Sequence, residues 1–274
     1  MTTRLFAVVG DPIAHSLSPA MQNAAIAARG LDATYVPMRT TEQAFAPLVR
    51  ELLAAGGGLN VTMPFKQLAA QLVRHPTDAV RTTEACNTIW GDPDAPSGDN
   101  TDVTAIRDEA LRLTGGRAGR IKLVGTGGSA RAAVAAFADG FPGVTLDVGS
   151  RSLGRARDFA LWASGLGLTA RVQDPADQTP VDLLLFATPD PTAKLAAEPG
   201  QESEFRPPVR TLLDLRYAKG GTLEVRLAWE LRHVPAADGR GVLVAQGAAA
   251  FERFFGAAAP VEVMRRAVED ALRP

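Results

Sequence analysis

A glycine-rich turn near the middle of the chain joins a short strand-like run to a helix-like segment. The run covers residues 120–124, the turn at 125–128 reads G-T-G-G, and residues 129–138 are mostly alanine, valine and phenylalanine. A run of that length fits a buried strand, and the segment after the turn fits a buried helix. This feature predicts a strand–turn–helix unit, which belongs to an α/β fold.

The spacing inside the turn is that of a dinucleotide-binding fingerprint. Gly125, Gly127 and Ala130 give G-x-G-x-x-A directly between the strand and the helix. The first glycine allows the tight turn, the second lets the backbone approach a pyrophosphate, and the small Ala130 lets helix and strand pack closely. The helix N-terminus adds N–H groups and a positive dipole end. An ordinary βα turn is the alternative.

The rest of the chain alternates strand-like runs with helix-like segments, which predicts βαβ units and parallel sheets. Besides 120–124, strands are predicted at 5–9, 35–38, 59–62, 144–148, 181–186 and 210–215. Helices are predicted at 18–29, 42–55, 64–74, 104–113, 129–138, 223–231 and 262–272. Residues 91–98, 198–208 and 235–241 are predicted as loops because proline and glycine cluster there.

The composition excludes several classes of protein. The 274 residues carry 29 Lys+Arg against 30 Asp+Glu, so the chain lacks the basic surplus typical of nucleic-acid-binding proteins. Its longest purely apolar stretch, Ala132–Ala138, is far below the roughly 18 residues of a membrane helix. The N-terminus lacks the apolar core of a secretory signal, and a single cysteine cannot form an internal disulfide. We therefore expect a cytoplasmic protein of about two domains.

The strand after the glycine turn indicates which nicotinamide cofactor would fit. It leads into Ser150-Arg151-Ser152, with Arg155 one helical turn later. An NADP site uses arginine for the 2′-phosphate, whereas an NAD site carries an acid that holds the ribose 2′-hydroxyl. Arg151 favours NADP, and Asp147 inside the strand is the competing NAD-type acid. The plain alternative is that these charges are all solvated surface groups.

Two polar patterns occupy the first seventy residues. In His15-Ser16-Leu17-Ser18-Pro19, two hydroxyls precede a helix and could bind a carboxylate, whereas Ser18 as a simple N-cap is the alternative. In the stretch 60–66, period-two alternation puts Asn60 and Thr62 on the same side of a strand end. Lys66 then falls in the first helical turn, where the helix dipole disfavours a cation, so a functional reason for it is plausible.

A third polar pattern is split between residues 87–88 and 99–102. It reads Asn87-Thr88 and then Asp99-Asn100-Thr101-Asp102, directly before a predicted helix. The alternative for Asp102 is a helix cap, a frequent role for aspartate. His15 is interpreted as structural and Cys86 as a small packed residue.

Together these motifs resemble the shikimate dehydrogenase family. The matches, in chain order, are S-x-S-P at 16–19, N-V-T-x-P-x-K at 60–66, C-N-T for the usual V-N-T at 86–88, N-T-D at 100–102, G-x-G-G-x-A at 125–130, D-x-x-Y-x-x-x-x-T at 214–222 and G-x-G-x-L-x-x-Q at 239–246.

The resemblance implies an NADP-dependent enzyme that reduces 3-dehydroshikimate to shikimate, in aromatic amino acid biosynthesis. Lys66 and Asp102 would be its catalytic pair, because a cationic lysine can protonate the carbonyl oxygen as hydride reaches the carbon. The substrate residues implied are Ser16 and Ser18 at the carboxylate, and Asn60, Thr62, Asn87, Tyr217 and Gln246 around the ring. The NADP residues implied are Gly125, Gly127, Gly128, Ser129, Ala130, Ser150, Arg151, Ser152, Thr188 and Gly239. Hydride transfer needs no metal, and no metal-ligand spacing is present.

The same resemblance implies two α/β domains with a cleft between them. The substrate-binding domain, with an open twisted sheet, is expected at residues 1–102 plus 238–274. The NADP-binding domain, a doubly wound Rossmann fold, is expected at 103–237. We expect a small-molecule substrate, no nucleic-acid or membrane partner, and a monomer or homodimer.

Several positions depart from the family pattern. Ser150 stands where the cofactor loop usually has asparagine, Phe186 begins a stretch that usually reads Asn-x-Thr, and Val242 stands where methionine is usual. These changes leave open a paralogue that acts on quinate or another cyclitol carboxylate, including one that uses NAD. A non-catalytic dinucleotide sensor is the remaining alternative, against which the Lys66–Asp102 pair counts.

Overall fold

The computed structural model describes residues 3–174, 176–189 and 208–273, and the chain divides into two compact units. One unit comprises Met1–Ala105 and Leu243–Arg273, and the other comprises Ile106–Val242. The chain therefore leaves the first unit and returns to it for the C-terminal helices. No helix in the described ranges is both long enough and apolar enough to cross a membrane.

Strands and helices alternate along much of the chain. The strands are β1 (Arg4–Gly10), β2 (Ala33–Arg39), β3 (Gly58–Val61), β4 (His75–Pro76), β5 (Thr88–Gly91), β6 (Pro96–Asp99), β7 (Arg120–Val124), β8 (Thr145–Gly149), β9 (Thr169–Val172), β10 (Val181–Phe186), β11 (Val209–Asp214) and β12 (Ala236–Asp238). The helices are α1 (Ser18–Ala28), α2 (Glu42–Ala54), α3 (Lys66–Leu72), α4 (Asp78–Thr83), α5 (Asp102–Thr114), α6 (Gly128–Gly140), α7 (Leu153–Gly165), α8 (Leu223–Arg232), α9 (Arg240–Phe255) and α10 (Val261–Ala271).

The sheet of the first unit is mixed, with the strand order β2-β1-β3-β5-β6-β4. β1 pairs in parallel with β2 and β3, whereas β5 is antiparallel to both β3 and β6. The expectation of parallel sheets is therefore wrong for this half of the sheet. Residues 92–95 alone join β5 to β6, and so short a connection permits only an antiparallel hairpin.

Helices cover both faces of this sheet. Successive residues of β1 point to opposite faces, as the pleat of a strand requires. Phe6 and Val8 belong to one apolar cluster, which also contains Met21, Tyr35, Val244, Phe251 and Met264. Ala7 and Val9 belong to the other, which also contains Phe45, Leu52, Val61, Phe65 and Ile89. The sheet is thus the middle layer of a three-layer unit.

The sheet of the second unit is wholly parallel, with the order β12-β11-β10-β7-β8-β9. Numbered within the unit from β7, this is the 3-2-1-4-5-6 order of the doubly wound dinucleotide fold. Strand order reverses between β7 and β10, and ligands of such folds bind beside the carboxyl ends of the strands at that point. The predicted architecture, two α/β units of which one is doubly wound, is confirmed.

Several local predictions are wrong. The helix expected to open at Pro64 begins at Lys66, and the loops expected at 91–98 and 235–241 contain β6, β12 and the start of α9. The sequence of β6 is Pro-Ser-Gly-Asp, which has no apolar alternation, so its strand geometry depends on pairing with β5. The elements that were not predicted are the helices α4, α7 and α9 and the strands β4, β5, β6, β9 and β12. The loop predicted at 198–208 lies, except for Pro208, outside the described residues.

Four charged side chains form a network near the amino ends of the second sheet. Asp147 Oδ2 lies 2.5 Å from Arg120 Nε, and its Oδ1 lies 2.8 Å from Arg171 Nε. The same two arginines reach Asp177 Oδ2 at 2.6 and 2.9 Å. Only 3% of the Asp147 side chain is exposed, so the interpretation of Asp147 as a solvated charge is wrong. Its two oxygens are held by arginines, which leaves this carboxylate poorly suited to a ribose hydroxyl.

The Asp177→Asn substitution should destabilise the second unit in a pH-dependent way. The hydrogen bond from Arg120 holds the pKa of the Asp177 carboxyl well below its usual range. A lowered folded-state pKa adds stability that is fully present above the unfolded pKa of about 3.9 and is lost as the pH falls below it. The midpoint of thermal unfolding should therefore drop at pH 7, and the deficit should shrink at pH 3.

The matched control for this substitution is Asp158→Asn, which changes an exposed carboxylate on α7 outside the network. It should alter the midpoint little at pH 7. A deficit of Asp177→Asn that is the same at both pH values would contradict the ion-pair explanation.

Candidate active site

A lysine and an aspartate form a nearly buried ion pair in the first unit. Lys66 Nζ lies 2.6 Å from Asp102 Oδ2, and the two side chains are 13% and 12% exposed. Lys66 is the first residue of α3, and Asp102 is the first residue of α5. The start of α3 is anchored by Phe65, whose ring stacks on Phe45 at a centroid distance of 5.1 Å. The pair therefore holds the Lys66 amine in a fixed position.

Asn87 holds the other oxygen of the same carboxylate. Its Nδ2 donates to Asp102 Oδ1 at 3.0 Å and to Thr101 Oγ1 at 3.0 Å. Its Oδ1 accepts from the Thr101 backbone N–H at 2.9 Å. Both oxygens of Asp102 thus accept from side chains outside its own helix, so a helix cap alone does not account for this residue.

Asn60 lies next to Asn87, and both hydrogens of its side-chain amide are likewise donated to groups of the protein. Its Nδ2 donates to the Asn87 carbonyl at 3.1 Å and to Thr88 Oγ1 at 3.0 Å, while its Oδ1 accepts from the Tyr35 hydroxyl at 2.7 Å. Asn60 and Asn87 are 7% and 2% exposed. Their N–H groups are therefore committed to the protein, which was not expected from the sequence.

The hydrogen bonds that Tyr35, Thr88 and Thr101 make in this cluster were not predicted from the sequence. Thr88 and Thr101 lie inside the Cys-Asn-Thr and Asn-Thr-Asp motifs, so those motifs carried a signal for them. Tyr35 lies in β2, where an aromatic residue predicts only core packing. Its hydroxyl contact with Asn60 depends on the β2-β1-β3 strand order.

The two serines lie at the start of α1. The N-cap of α1 is Leu17, so the alternative of Ser18 as N-cap is wrong, and Ser18 is the first helical residue. Instead, Ser16 Oγ accepts from the Ser18 backbone N–H at 3.3 Å. Ser18 is buried and Ser16 is partly exposed, so the two hydroxyls share one corner of the unit.

Helix α9 packs beside α1 and carries Gln246. The contact is close, because Gln22 Nε2 donates to the Gly247 carbonyl at 2.9 Å and a Cβ at Gly247 would lie 2.1 Å from Met21 Cε. Gln246 is partly exposed and donates to the Leu243 carbonyl at 2.7 Å. Thr62 is also partly exposed, at the end of β3, with its backbone N–H bonded to the Val9 carbonyl.

Two further polar residues near these motifs have no catalytic geometry. His15 is exposed beside Ser16 and makes none of the hydrogen bonds or ion pairs recorded for the described residues. Cys86 is buried, and burial raises the pKa of its thiol to about 12. The thiol is therefore protonated at neutral pH and acts as a packed small residue.

The glycine turn of the second unit lies at the reversal of strand order. Gly125 has φ of 124°, and a Cβ there would lie 2.6 Å from the Ala187 carbonyl oxygen, so no side chain fits. Its N–H donates to the Gly149 carbonyl at 2.9 Å. The turn after β7 thus touches the last residue of β8 and the two residues that follow β10, Ala187 and Thr188. Ala130 is fully buried, as the fingerprint requires.

Gly127 differs from Gly125, because the space around its α-carbon is open. A Cβ at Gly127 would meet no atom within 4 Å. Gly127 is also the N-cap of α6 and offers no side chain to the first helical N–H groups, those of Gly128, Ser129 and Ala130. An open cradle in front of a helix N-terminus fits the pyrophosphate of a dinucleotide.

The loop after β8 presents hydroxyls and cations together. Ser150 Oγ accepts from the Ser152 N–H, and Ser152 Oγ accepts from the Arg155 N–H, both at 3.3 Å. Each hydroxyl keeps its own O–H to donate. Arg151 and Arg155 are exposed on the same short segment. This donor set fits a phosphate monoester.

Tyr217 and Gly239 follow β11 and β12 at the same edge of the sheet. A Cβ at Gly239 would lie 2.1 Å from the Leu215 carbonyl oxygen, and the Gly239 N–H donates to the Arg216 carbonyl at 2.7 Å. Asp214 is bound by Arg216, and Thr222 caps α8, so these two motif residues are structural. Among the residues described, no cluster of three His, Cys, Asp or Glu side chains could hold a metal.

Comparisons with known proteins all match the same family. Residues 8–89 match the model of the shikimate dehydrogenase substrate binding domain, and residues 239–269 match that of the shikimate 5'-dehydrogenase C-terminal domain. Shikimate dehydrogenase (NADP(+)) of Synechococcus sp. is 34% identical, over 99% of this chain and 95% of its own. The enzyme of the same name from Halobacterium salinarum is 36% identical, over 98% of this chain and 99% of its own.

A solved structure agrees with these relatives. Shikimate 5-dehydrogenase from Thermus thermophilus, in complex with NADP(H) and shikimate, superposes with a TM-score of 0.81. It is 28% identical and covers 98% of this chain and all of that one. The chain belongs to the shikimate dehydrogenase family.

Proposed function

We propose that this protein is an NADP-dependent shikimate dehydrogenase that reduces 3-dehydroshikimate to shikimate. The observation that carries the proposal is the Lys66 Nζ to Asp102 Oδ2 ion pair of 2.6 Å, nearly buried and held on its far side by Asn87. A dinucleotide sensor has no use for a fixed proton donor. A carbonyl reductase requires one.

The reaction adds a hydride to the carbonyl carbon and a proton to the carbonyl oxygen. NADPH, when bound, supplies the hydride. Lys66 donates the proton from Nζ and stabilises the negative charge that develops on the oxygen. Asp102 fixes the position of Nζ, and in the reverse direction Lys66 accepts the proton of the alcohol. The chain thus supplies acid–base and electrostatic catalysis.

The first unit is proposed to bind the substrate. Ser16 and Ser18 would hold its carboxylate with their hydroxyls, and Thr62 and Gln246 would bind ring hydroxyls. Tyr217, which belongs to the second unit, stays a predicted substrate residue. Direct contacts from Asn60 and Asn87 to the ring stay a prediction. The N–H groups of both are engaged within the protein, and Asn87 Oδ1 already accepts from the Thr88 hydroxyl and the Thr101 N–H. Asn60 Oδ1 accepts from the Tyr35 hydroxyl alone among these contacts, so it keeps a lone pair for a ring hydroxyl.

The second unit is proposed to bind NADP. Gly125, Gly127, Gly128, Ser129 and Ala130 would surround the pyrophosphate, with Thr188 and Gly239 on neighbouring loops of the same sheet edge. The 2′-phosphate would meet Ser150, Arg151 and Ser152. The domain limits at 102–103 and 237–238, the cytoplasmic location and the monomeric or homodimeric state all stay predictions.

The direct test is turnover of shikimate with NADP+, followed by the absorbance of reduced nicotinamide. We expect turnover with NADP+ to exceed that with NAD+, and shikimate to be preferred to quinate in kcat/KM. The Lys66→Ala substitution should lower kcat by roughly 10²-fold or more, since it removes the proton donor. The matched control Arg74→Ala, an exposed cation just after α3, should keep the wild-type rate.

The other possible outcomes of this assay each point to a specific alternative. Quinate or NAD+ preferred by tenfold or more would indicate the paralogue that the changes at Ser150, Phe186 and Val242 left open. No turnover of either acid would favour the sensor. A near wild-type rate for Lys66→Ala would remove this lysine from the mechanism.

The Arg151→Ala substitution should weaken NADPH and spare NADH. A guanidinium that pairs with the 2′-phosphate makes charge-assisted hydrogen bonds, and their loss should raise KM for NADPH by about tenfold or more. NADH has no such phosphate. Arg157→Ala, which removes an exposed arginine further along α7, is the control and should change neither KM. An equal loss with both cofactors would show that Arg151 does not bind the 2′-phosphate.

The two glycines of the turn should respond differently to alanine. Gly127→Ala should fold with the wild-type melting temperature, because its Cβ enters open space, yet it should bind NADPH more weakly because that space is the proposed pyrophosphate cradle. Gly125→Ala should also lower the melting temperature, since its Cβ would collide with the Ala187 carbonyl. Calorimetric NADPH titration with thermal melting checks both. Wild-type NADPH affinity in Gly127→Ala would contradict the cradle.

A further inference from the structure

A continuous chain of hydrogen bonds joins the buried Tyr35 to the ion pair. It runs from the Tyr35 hydroxyl to Asn60, from Asn60 to Thr88, from Thr88 to Asn87 and from Asn87 to Asp102, with lengths of 2.7, 3.0, 2.9 and 3.0 Å. Lys66 meets the opposite oxygen of Asp102. Six side chains thus connect end to end within the first unit. Five of them lie on β2, β3, β5, α5 and α3, and Asn87 lies directly before β5.

Backbone groups force the direction of every bond in the chain. The Asn60 Nδ2 faces the Asn87 carbonyl, which only accepts, so Asn60 Oδ1 must accept from the Tyr35 hydroxyl. The Asn87 Oδ1 faces the Thr101 N–H, which only donates, so Asn87 Nδ2 must donate to the carboxylate. Thr88, which accepts from Asn60, then donates to Asn87. All protons therefore point toward Asp102.

The starting residue of the chain stays neutral. Tyr35 is 1% exposed, and burial raises the pKa of its hydroxyl well above its usual range. The hydroxyl therefore carries its proton at any working pH. Hydrogen bonds aligned in one direction polarise one another, so each donor in the series strengthens the next.

We infer that Tyr35 and Thr88 are positioning residues of the catalytic pair, acting on Asp102 through Asn60 and Asn87. This inference rests on the proposed function, because it assigns them a part in the same reaction. The series of hydrogen bonds holds the Asp102 carboxylate by Oδ1, so that Oδ2 faces Lys66. Neither Tyr35 nor Thr88 needs to touch the substrate or the cofactor for this effect.

The sharpest test compares two substitutions of Thr88. Thr88→Val keeps the shape of the side chain and removes the hydroxyl, whereas Thr88→Ser keeps the hydroxyl. We expect Thr88→Val to lower kcat by roughly tenfold while the KM values for shikimate and NADP+ stay near wild type. Thr88→Ser should recover most of kcat. Tyr35→Phe, which breaks the chain at its far end, should fall between the two.

A solvent isotope effect separates positioning from general loss of structure. If Asp102 is misplaced, proton transfer involving Lys66 becomes slower relative to other steps. The ratio of kcat in H2O to kcat in D2O should therefore rise in Thr88→Val and stay near wild type in Thr88→Ser. Equal kcat and equal isotope effects for wild type and Thr88→Val would overturn the inference.

A second readout requires no turnover. The polypeptide contains only four asparagines, so selective 15N labelling gives four side-chain amide signals. In Thr88→Val the signals of Asn60 and Asn87 should shift, while that of Asn100, which donates to Thr83 in a separate contact, should stay. Thr88→Ser should leave all four near their wild-type positions. If the Asn87 signals do not shift in Thr88→Val, the proposed hydrogen-bond connection from Thr88 through Asn87 is wrong.

Measurements on the wild type and on Thr88→Val distinguish failure of the proposed function from failure of the inferred positioning role. Absence of shikimate turnover by the wild-type protein would refute the proposed function, and the inferred role in its reaction with it. Turnover by the wild type, together with an unaffected Thr88→Val variant, would refute the inference and leave the proposed function intact.

Discussion

The ion pair between Lys66 and Asp102 sets the polar interior of the first unit. Two charges that are each about seven-eighths buried must be compensated on every side, because an unpaired buried charge costs several kcal/mol. Lys66 neutralises one oxygen of Asp102, and Asn87 donates to the other. Asn87 must then be satisfied in turn, which brings in Thr101 and Thr88. The buried amides and hydroxyls around the pair, those of Asn87, Thr88 and Thr101, follow from that requirement.

In the second unit, the ionic network and the proposed cofactor site lie toward opposite ends of the strands. Its ionic network joins Arg120, at the first residue of β7, to Asp177, which precedes β10, and so lies toward the amino ends. The glycine turn, Thr188 and Gly239 follow the carboxyl ends of their strands. A parallel sheet makes this separation possible, because all carboxyl ends meet at one edge. Side chains at that edge can change without disturbing the network that holds the sheet together.

Features with local causes could be predicted from the sequence. β7 and β10 are short, mostly apolar runs bounded by breakers, and the structure reproduces both predicted ranges. β6 could not be predicted, because its strand geometry comes from pairing with β5. In the site, the motifs predicted Lys66, Asp102 and Asn87, but not that Asn87 would bind Asp102. That contact joins residues fifteen apart through the β5–β6 hairpin, which periodicity alone does not show.

The electrostatic character of the carboxyl end of β8 depends on how the Asp147 carboxylate is paired. Both of its oxygens pair with Arg120 and Arg171, so its negative charge is compensated inside the sheet. Two residues past the end of β8 the chain presents Arg151, and Arg155 follows in the first turn of α7. An anion at this edge therefore meets two guanidinium groups, two serine hydroxyls and a helix N-terminus, without an uncompensated carboxylate from β8. A 2′-phosphate at the proposed NADP site would gain from each of these groups. Asp147 is already bound by two arginines, so it does not offer the ribose hydroxyl the acceptor that NAD sites provide.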